Sequence, residues 1–175
     1  MILTPTRNPA LSNDMEMLGA GSAFHDEFCG LLEGAHIFND LEWQEIEILS
    51  NYMQAYRAKR GITLFHEGEI GDYMCLILEG QVNILKEAQD AGEKVVSVVD
   101  RGKTLGEMAM VDGEPRSATA VTASDTKLAM LTRHNFNRLI QEKPALAVKI
   151  LMKVARLLSQ RLRRTSGILV DYLEG

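Results

Sequence analysis

The chain has 175 residues with a formal net charge of −5, and 46% of its residues are hydrophobic and 25% charged, which is typical of one globular domain with appendages. Its longest uninterrupted apolar run is MCLIL at 74–78, far short of the roughly 20 residues that a membrane helix needs. Acidic side chains outnumber basic ones by 22 to 12 in residues 1–142, and only 143–175 is basic, with 7 against 2, so the main body is a poor partner for nucleic acid, whose binding relies on neutralised phosphates.

The N-terminal part is predicted to be helical after a flexible lead. Residues 1–22 mix Pro, Asn, Ser, Gly and Thr without a period, and they lack the basic start and apolar core of a secretory signal. Residues 23–56 place apolar side chains at helical spacing from Phe24 to Tyr56. This spacing favours two helices, the second one capped by Asn39 or Asp40.

From Arg57 the pattern changes to short β-branched runs that glycines separate. The candidate strands are 62–65, 73–78, 81–86, 94–99, 117–123 and 127–131. Short strands with a turn signal about every 8–12 residues indicate an all-β sandwich, a jelly roll or a small barrel. The sequence therefore predicts a β-roll over 57–132.

Helical spacing returns in the C-terminal part, 133–175. A short amphipathic segment at 134–143 precedes Pro144, which suits the first turn of a longer helix. This longer helix carries an apolar stripe with members about 3.5 residues apart: Leu151, Ala155, Leu158, Leu162 and Leu169. Such a stripe packs either within its own domain or against a second copy of the chain, and both alternatives stay open.

The segment TLGEMAMVDGEPRSATA at 104–120 interrupts the strand pattern with a single predicted helical turn. A turn entered through Gly106 presents free backbone N–H groups, which suit an anion. Arg116 adds a planar, permanently charged guanidinium that fits phosphate oxygens, and Ser117 adds a hydroxyl. Glu107 would repel a phosphate alone, but it suits a ligand that also has hydroxyl donors a few Å away. A ribose 2′-OH joined to a cyclic phosphate meets that description.

The same segment resembles the phosphate-binding cassette of the cyclic nucleotide-binding domain family, with the rough pattern FGE-x-A-L-x5-PR-[AST]-A-[ST]. Leu105 and Met110 depart from it by replacing an aromatic residue and a leucine. The matching positions are Gly106, Glu107, Ala109, Pro115, Arg116, Ser117, Ala118 and Thr119. The resemblance extends over about 36–165. Within the family, the chain resembles the sensor domains of bacterial catabolite-activator-type proteins and of protein kinase A regulatory subunits.

This resemblance implies an α+β fold. The expected architecture is an eight-stranded antiparallel β-roll, jelly-roll-like and also described as a double-stranded β-helix, flanked by N-terminal helices and a C-terminal helical lid. The phosphate-binding cassette would occupy 105–119 within the roll. The lid would close over the purine of a bound nucleotide.

The resemblance also implies which residues bind the nucleotide. Glu107 would bind the ribose 2′-OH. Arg116 and Ser117, with the backbone amides from Gly106 through Met108 to Ala109, would bind the phosphate, while the small Ala118 lets the ligand approach the backbone. The strands facing the cassette would wall the purine with Ile84, Val96 and Ser97. No motif fixes the lid residues, and the helix face with an approximate alignment points to Leu158 and Arg161.

Together these features predict a stand-alone sensor that binds cAMP in preference to cGMP and transmits binding through its C-terminal helix. Its partner would be a second copy, bound through that helix, or an effector protein. The chain ends at Gly175, shortly after the apolar stripe, so we expect no DNA-binding domain. The alternative is a structural or interaction module that no longer uses its pocket.

Enzymatic chemistry and metal binding are not expected. The histidines at 25, 36, 66 and 134 lack metal-ligand spacing, and no Ser/His/Asp or Cys/His constellation is visible. Cys29 and Cys75 lie in apolar settings and are predicted to be buried thiols of a cytoplasmic protein. We therefore expect no cofactor and no metal beside the nucleotide ligand.

Overall fold

The computed structural model describes residues 14–19, 21–88 and 92–174. Its helices are α1 (Ser22–Glu33), α2 (Trp43–Ser50), α3 (Glu107–Asp112), α4 (Arg133–Glu142) and α5 (Pro144–Glu174), with a 3-10 turn at His36–Phe38. Its strands are β1 (Met15–Met17), β2 (Gln54–Ala58), β3 (Thr63–Phe65), β4 (Tyr73–Glu79), β5 (Gln81–Ala88), β6 (Gly92–Asp100), β7 (Thr104–Leu105), β8 (Thr119–Thr122) and β9 (Thr126–Thr132).

These strands form two antiparallel sheets, in the orders β1-β2-β9-β4-β7 and β3-β8-β5-β6. Strand β4 explains the apolar run at 74–78, because both of its faces are buried. Its side chains alternate between the faces: Cys75 and Ile77 join the core between the sheets, while Leu76 and Leu78 join the core under the helices.

The helices pack on the outer face of the first sheet. Leu32 of α1, Leu49 of α2 and Leu139 of α4 are fully buried in this helical core. The first half of α5 is fixed there by residues three or four positions apart, Leu146, Ala147, Ile150 and Val154. Its second half extends past this core and exposes apolar side chains. Among the described residues, no helix combines the length and hydropathy needed to cross a membrane.

The predicted α+β fold with a β-roll and flanking helices is confirmed, and the described residues contain nine strands where eight were expected. The prediction of helix up to Tyr56 is wrong at its end, since Gln54–Ala58 is strand β2 and pairs with β9. The segment Met15–Met17 is predicted to be part of the flexible lead, but it pairs with β2. The pairing is supported by Met15, which is buried in the core between the sheets. Residues 1–13 and 20 of that lead lie outside the described residues.

Two further boundaries differ from the prediction. The strand predicted at 117–123 is limited to Thr119–Thr122, because the residues before it belong to the loop that carries Arg116. Helix α2 is capped by Glu42 and not by Asn39 or Asp40. Glu42 and Glu45 form a reciprocal capping box, in which each side chain accepts a hydrogen bond from the other residue's backbone N–H.

Candidate functional site

A cavity of about 980 Å³ lies between strands β5 and β6, the cassette 105–119 and helix α5. This volume is within the range of about 300–1,000 Å³ of small-molecule sites. All ten predicted ligand-binding residues line it: Ile84, Val96, Ser97, Gly106, Glu107, Met108, Ala109, Arg116, Ser117 and Ala118. The fold therefore brings residues that are up to 34 positions apart in sequence together around one cavity.

Glu107 is held at the start of α3 with its carboxylate inside the cavity wall. The residue before it, Gly106, has φ 78°, a left-handed conformation that glycine adopts without steric cost. Glu107 is 1% exposed, and its Oε1 accepts a hydrogen bond within an ion pair from Nη1 of Arg161. Its Oε2 is buried without a hydrogen-bond partner among the described residues.

Arg116 is held next to the start of α3 by two aromatic rings and a backbone carbonyl. Its guanidinium carbon lies 4.2 Å from the ring centroid of Phe65 and 4.5 Å from that of Tyr73, which is cation–π geometry. Nη1 donates to the carbonyl of Gly106 at 3.0 Å. Nη2 is buried, and within the described part of the chain it has no acceptor.

Two glycines make room for this guanidinium. A Cβ on Gly71 would lie 2.9 Å from Cζ of Arg116 and 2.5 Å from Cβ of Ala109. A Cβ on Gly106 would lie 2.5 Å from Nη1 of Arg116. All three distances are shorter than real Cβ contacts, so the backbone at both glycines packs directly against the charged group.

The mouth of the cavity is more open. Ser117 and Met108 are exposed, and the Ser117 hydroxyl lies 3.7 Å from the Met108 sulfur. A sulfur is a weak acceptor. The hydroxyl is therefore available to a ligand that lies against Arg116.

Helix α5 forms one wall of the cavity. Arg161 pairs with Glu107 and also donates from Nη2 to the carbonyl of Thr104 at 2.6 Å. Leu158, the other predicted lid residue, is not among the residues that line the cavity, and it packs against the helical core instead. The α5 residues that line the cavity are Leu157, Gln160, Arg161, Arg164, Thr165 and Ile168.

The sequence analysis missed most of these α5 residues, together with Phe65 and Gly71. Leu157, Arg164, Thr165 and Ile168 lie four, three, four and seven residues from Arg161. That spacing marks one helical face and could have identified them, whereas Gln160 directly precedes Arg161 and does not fit it. Phe65 and Gly71 carry no local signal for ligand binding. Only the fold brings them against Arg116.

The charges around the cavity favour an anion. Three arginines line it: Arg116, Arg161 and Arg164. Two acidic residues line it as well, and the first is Glu107, which pairs with Arg161. The second acid, Asp100, is paired with Lys103 at 2.8 Å, and this hydrogen bond lowers the pKa of Asp100.

Burial dominates the ionisation behaviour of the residues behind Arg116. It raises the pKa of Cys75 to about 12, although the positive charge of Arg116 opposes the shift. It also raises the pKa of Tyr73, whose hydroxyl donates to the carbonyl of Leu64 at 2.6 Å. In the part of the chain that the structure describes, no group of His, Cys, Asp and Glu could hold a metal ion.

A two-sheet roll with a charged cavity under a C-terminal helix is the architecture of a small-molecule-binding domain. Residues 56–143, about half of the chain, match the family model described as the cyclic nucleotide-binding domain. The chain belongs to this family.

Relatives with known names and structures agree with this assignment. A crystal structure of a cyclic nucleotide-binding domain from Methylobacillus flagellatus is 34% identical, with a TM-score of 0.79, and the match covers 91% of this chain and 89% of that one. The CRP-like cAMP-activated global transcriptional regulator of Mycobacterium tuberculosis is 31% identical over 143 residues, which are 82% of this chain and 62% of the regulator.

A third relative is the regulatory domain of Toxoplasma gondii PKA, crystallised with cAMP. It is 28% identical with a TM-score of 0.59, and the match covers 69% of this chain and 46% of that one. The present chain spans about six tenths of the length of the first curated relatives that it matches.

Proposed function

We propose that this protein is a cyclic nucleotide sensor in which Glu107 accepts the ribose 2′-OH and Arg116 binds the cyclic phosphate. One observation carries the proposal: Oε2 of Glu107 and Nη2 of Arg116 are both buried and unpartnered among the described residues. Leaving such groups unpaired costs about 1–3 kcal/mol each, more for charged groups. A ligand with a hydroxyl donor and an anionic acceptor satisfies both atoms at once.

The remaining cavity residues suit the rest of a nucleotide. Ser117 and the amides from Gly106 to Ala109 would add donors to the phosphate. Ile84 and Val96 offer an apolar surface to a purine, and Ser97 offers a hydroxyl at its edge. Binding would favour the position in which α5 closes this space, because a ligand shifts an equilibrium only through the contacts that differ between its states.

We propose cAMP as the preferred nucleotide over cGMP. The support comes from the relatives, since the Mycobacterium tuberculosis regulator is described as cAMP-activated and the Toxoplasma gondii domain was crystallised with cAMP. Thr165 and Gln160 of α5 line the cavity and could each accept a hydrogen bond from the amino group of adenine.

The output is proposed to pass through α5 to a second copy or an effector protein. Leu162, Leu169 and Leu173 in its second half are 68%, 55% and 73% exposed, and exposed apolar groups at helical spacing are typical of a helix that meets a partner. A regulator without catalytic activity follows from this proposal. A cytoplasmic location, the stand-alone arrangement and the lack of a DNA-binding domain stay predictions.

One observation favours the alternative of a module with an unused pocket. Arg161 already pairs with Glu107 and so occupies part of the space near the ribose position. In the proposed sensor this pair uses Oε1 and leaves Oε2 for the hydroxyl. In an unused pocket the pair would be permanent, and no nucleotide would bind.

Calorimetric titration with cAMP and cGMP separates these functions. For the sensor, cAMP at about 100 times its Kd raises the free energy of unfolding by roughly 2.7 kcal/mol, and Arg116→Gln abolishes that gain. The matched control is Arg138→Gln, since Arg138 is a half-buried arginine of α4 that pairs with Glu142 and is not among the residues that line the cavity. If millimolar nucleotide gives no heat of binding and no thermal stabilisation, the sensor proposal is rejected and the module with an unused pocket is left.

A further inference from the structure

A second and smaller cavity, of about 240 Å³, lies between the 3-10 turn with the two residues that follow it, the loop at 102–104 and helix α5. It shares Lys103, Thr104, Leu157 and Gln160 with the nucleotide cavity, but none of the described cassette residues lines it. Its volume is below the value of about 300 Å³ at which small-molecule sites usually begin. This second cavity therefore suits a small ion better than a nucleotide.

Lys153 of α5 is the buried cation of the second cavity. Its side chain is 9% exposed, and its ammonium pairs with Asp40, which follows the 3-10 turn and is 59% exposed. Desolvation by burial, followed by repulsion from Arg156, lowers the pKa of Lys153. An ammonium has three donors, and Asp40 is the one carboxylate that pairs with it among the described residues. Lys153 therefore keeps donors for a ligand.

Arg156 adds a cation without a counter-charge. It follows Lys153 by three residues, which places both side chains on one face of α5, and both line the second cavity. Arg156 is exposed, and its guanidinium forms no ion pair or hydrogen bond within the part of the chain that the structure describes. Like charges at this spacing repel each other. An anion placed between them would relieve that repulsion.

The positive charges of the second cavity outweigh the negative ones. Its described lining contains one carboxylate, Asp40, and three cations, Lys103, Lys153 and Arg156. Lys103 also pairs, at 2.8 Å, with Asp100, which is outside this lining. Both carboxylates are about half exposed, so water screens their charges, whereas the charge of Lys153 is shielded from water. The field inside the cavity therefore favours an anion.

Thr104 supplies a polar atom that lacks a partner. The residue is 1% exposed, and its Oγ1 is buried without a hydrogen-bond partner among the described residues. Its carbonyl is already used by Arg161. A buried hydroxyl without a partner is unfavourable. An anionic oxygen in the second cavity would accept a hydrogen bond from it.

We infer that the second cavity binds a phosphate group, held by Lys153 and Arg156 together with the Thr104 hydroxyl. A tetrahedral phosphate presents oxygens in several directions and can accept from all three groups at once, whereas a planar carboxylate has only two oxygens. The planar fork of Arg156 fits two phosphate oxygens, and the ammonium of Lys153 acts as a point charge. The group belongs to free phosphate or to a small phosphomonoester. Because the cassette takes no part, phosphate binding here is independent of cyclic nucleotide binding.

NMR titration of the full chain with inorganic phosphate tests the site, with potassium chloride used to keep the ionic strength constant. We expect the backbone amides at 36–40, 102–104 and 153–160 to shift and to saturate together. Arg156→Gln and Lys153→Met should each raise the Kd at least about tenfold, as the loss of one hydrogen bond to a charged group predicts. The matched control is Arg163→Gln, which should keep the wild-type Kd, because Arg163 is an exposed arginine of α5 that lines neither cavity.

The variant Arg156→Gln is expected to fold, because Arg156 is exposed and unpaired among the described residues. It therefore decides the result even if removal of the buried Lys153 ammonium unfolds the chain.

The same titration with glycerol 3-phosphate identifies the source of the phosphate group. A lower Kd for glycerol 3-phosphate than for inorganic phosphate indicates a phosphomonoester, and a higher one indicates free phosphate. Phosphate binding in the second cavity is overturned if neither compound shifts these amides or if the shifts are confined to the cassette. It is also overturned if Arg156→Gln binds phosphate as tightly as wild type.

Discussion

Replacing Gly71 by alanine tests whether the backbone contact behind Arg116 is needed for binding. The added Cβ would lie 2.5 Å from Cβ of Ala109 and 2.9 Å from both Cζ and Nε of Arg116. The Ala109 atom is attached to the backbone and cannot turn away. The guanidinium or helix α3 must therefore move.

The size of the effect follows from two opposing contributions. Overpacking a filled site costs about 1–3 kcal/mol, and alanine recovers about 0.4–1 kcal/mol by restricting the unfolded chain. Gly71 does not have a left-handed backbone, so no conformational strain is added. We expect a net loss of about 1–2 kcal/mol, which lowers Tm by about 2–8 °C in a chain of this size.

The effect on binding is larger than the effect on stability. Displacing Nη2 of Arg116 removes a hydrogen bond to a charged group, which is worth about 1.5–3 kcal/mol, or roughly 10- to 150-fold in Kd. Calorimetric titration with cAMP measures this change at a temperature well below Tm. The control is Gly30→Ala in α1, where the new Cβ meets nothing within 4 Å and should stabilise the helix by up to about 1 kcal/mol.

Wild-type affinity in Gly71→Ala would refute this reasoning, because the contact would then not position Arg116. A loss of affinity equal to that of Gly30→Ala would do the same.

Three further predictions concern stability. Arg161→Gln should lower the free energy of unfolding by about 1–3 kcal/mol in denaturant titrations, less than for a fully buried pair because Arg161 is 41% exposed; no change would mean that the pair with Glu107 is not stabilising. Thr132→Ala should cost about 1 kcal/mol, since its hydroxyl caps α4 by accepting from the Asn135 N–H at 3.1 Å, and a neutral result would contradict the cap. Between pH 9.0, the ordinary pKa of a thiol, and about pH 12, buried Cys75 keeps its proton while the thiol of the unfolded chain loses it. The free energy of unfolding should therefore fall by up to about 1.4 kcal/mol per pH unit as the pH rises through this range. Cys75→Ala should flatten that slope, and an unchanged slope would contradict the raised pKa.

The β-roll was predictable because strand and turn signals alternate regularly after Arg57. The strands that could not be predicted are those that form only by pairing with segments distant in sequence. The short strand at Met15–Met17 has no periodicity of its own and exists because β2 offers an edge and the inner core accepts Met15. Tyr52 and Met53 continue the helical spacing of α2, yet the next residues pair with β9.

The cassette was predictable at the level of single residues, since its glycines, acid and arginine stand in a short contiguous segment. The structure places them around one cavity, and their roles in binding stay predictions. Helix α5 was harder, because Leu157 and Leu158 are equivalent in sequence. Which one faces the cavity is fixed by the packing of Val154 and Ile150, about one and two turns earlier.

The central proposal, that Glu107 accepts the ribose 2′-OH, is tested most directly by comparing cAMP with 2′-deoxy-cAMP in calorimetric titrations. We expect the deoxy analogue to bind wild type about 10- to 150-fold more weakly, as the loss of a hydrogen bond to a charged group predicts, and Glu107→Gln to lose most of this discrimination. Equal Kd values for the two nucleotides with wild type would contradict the account.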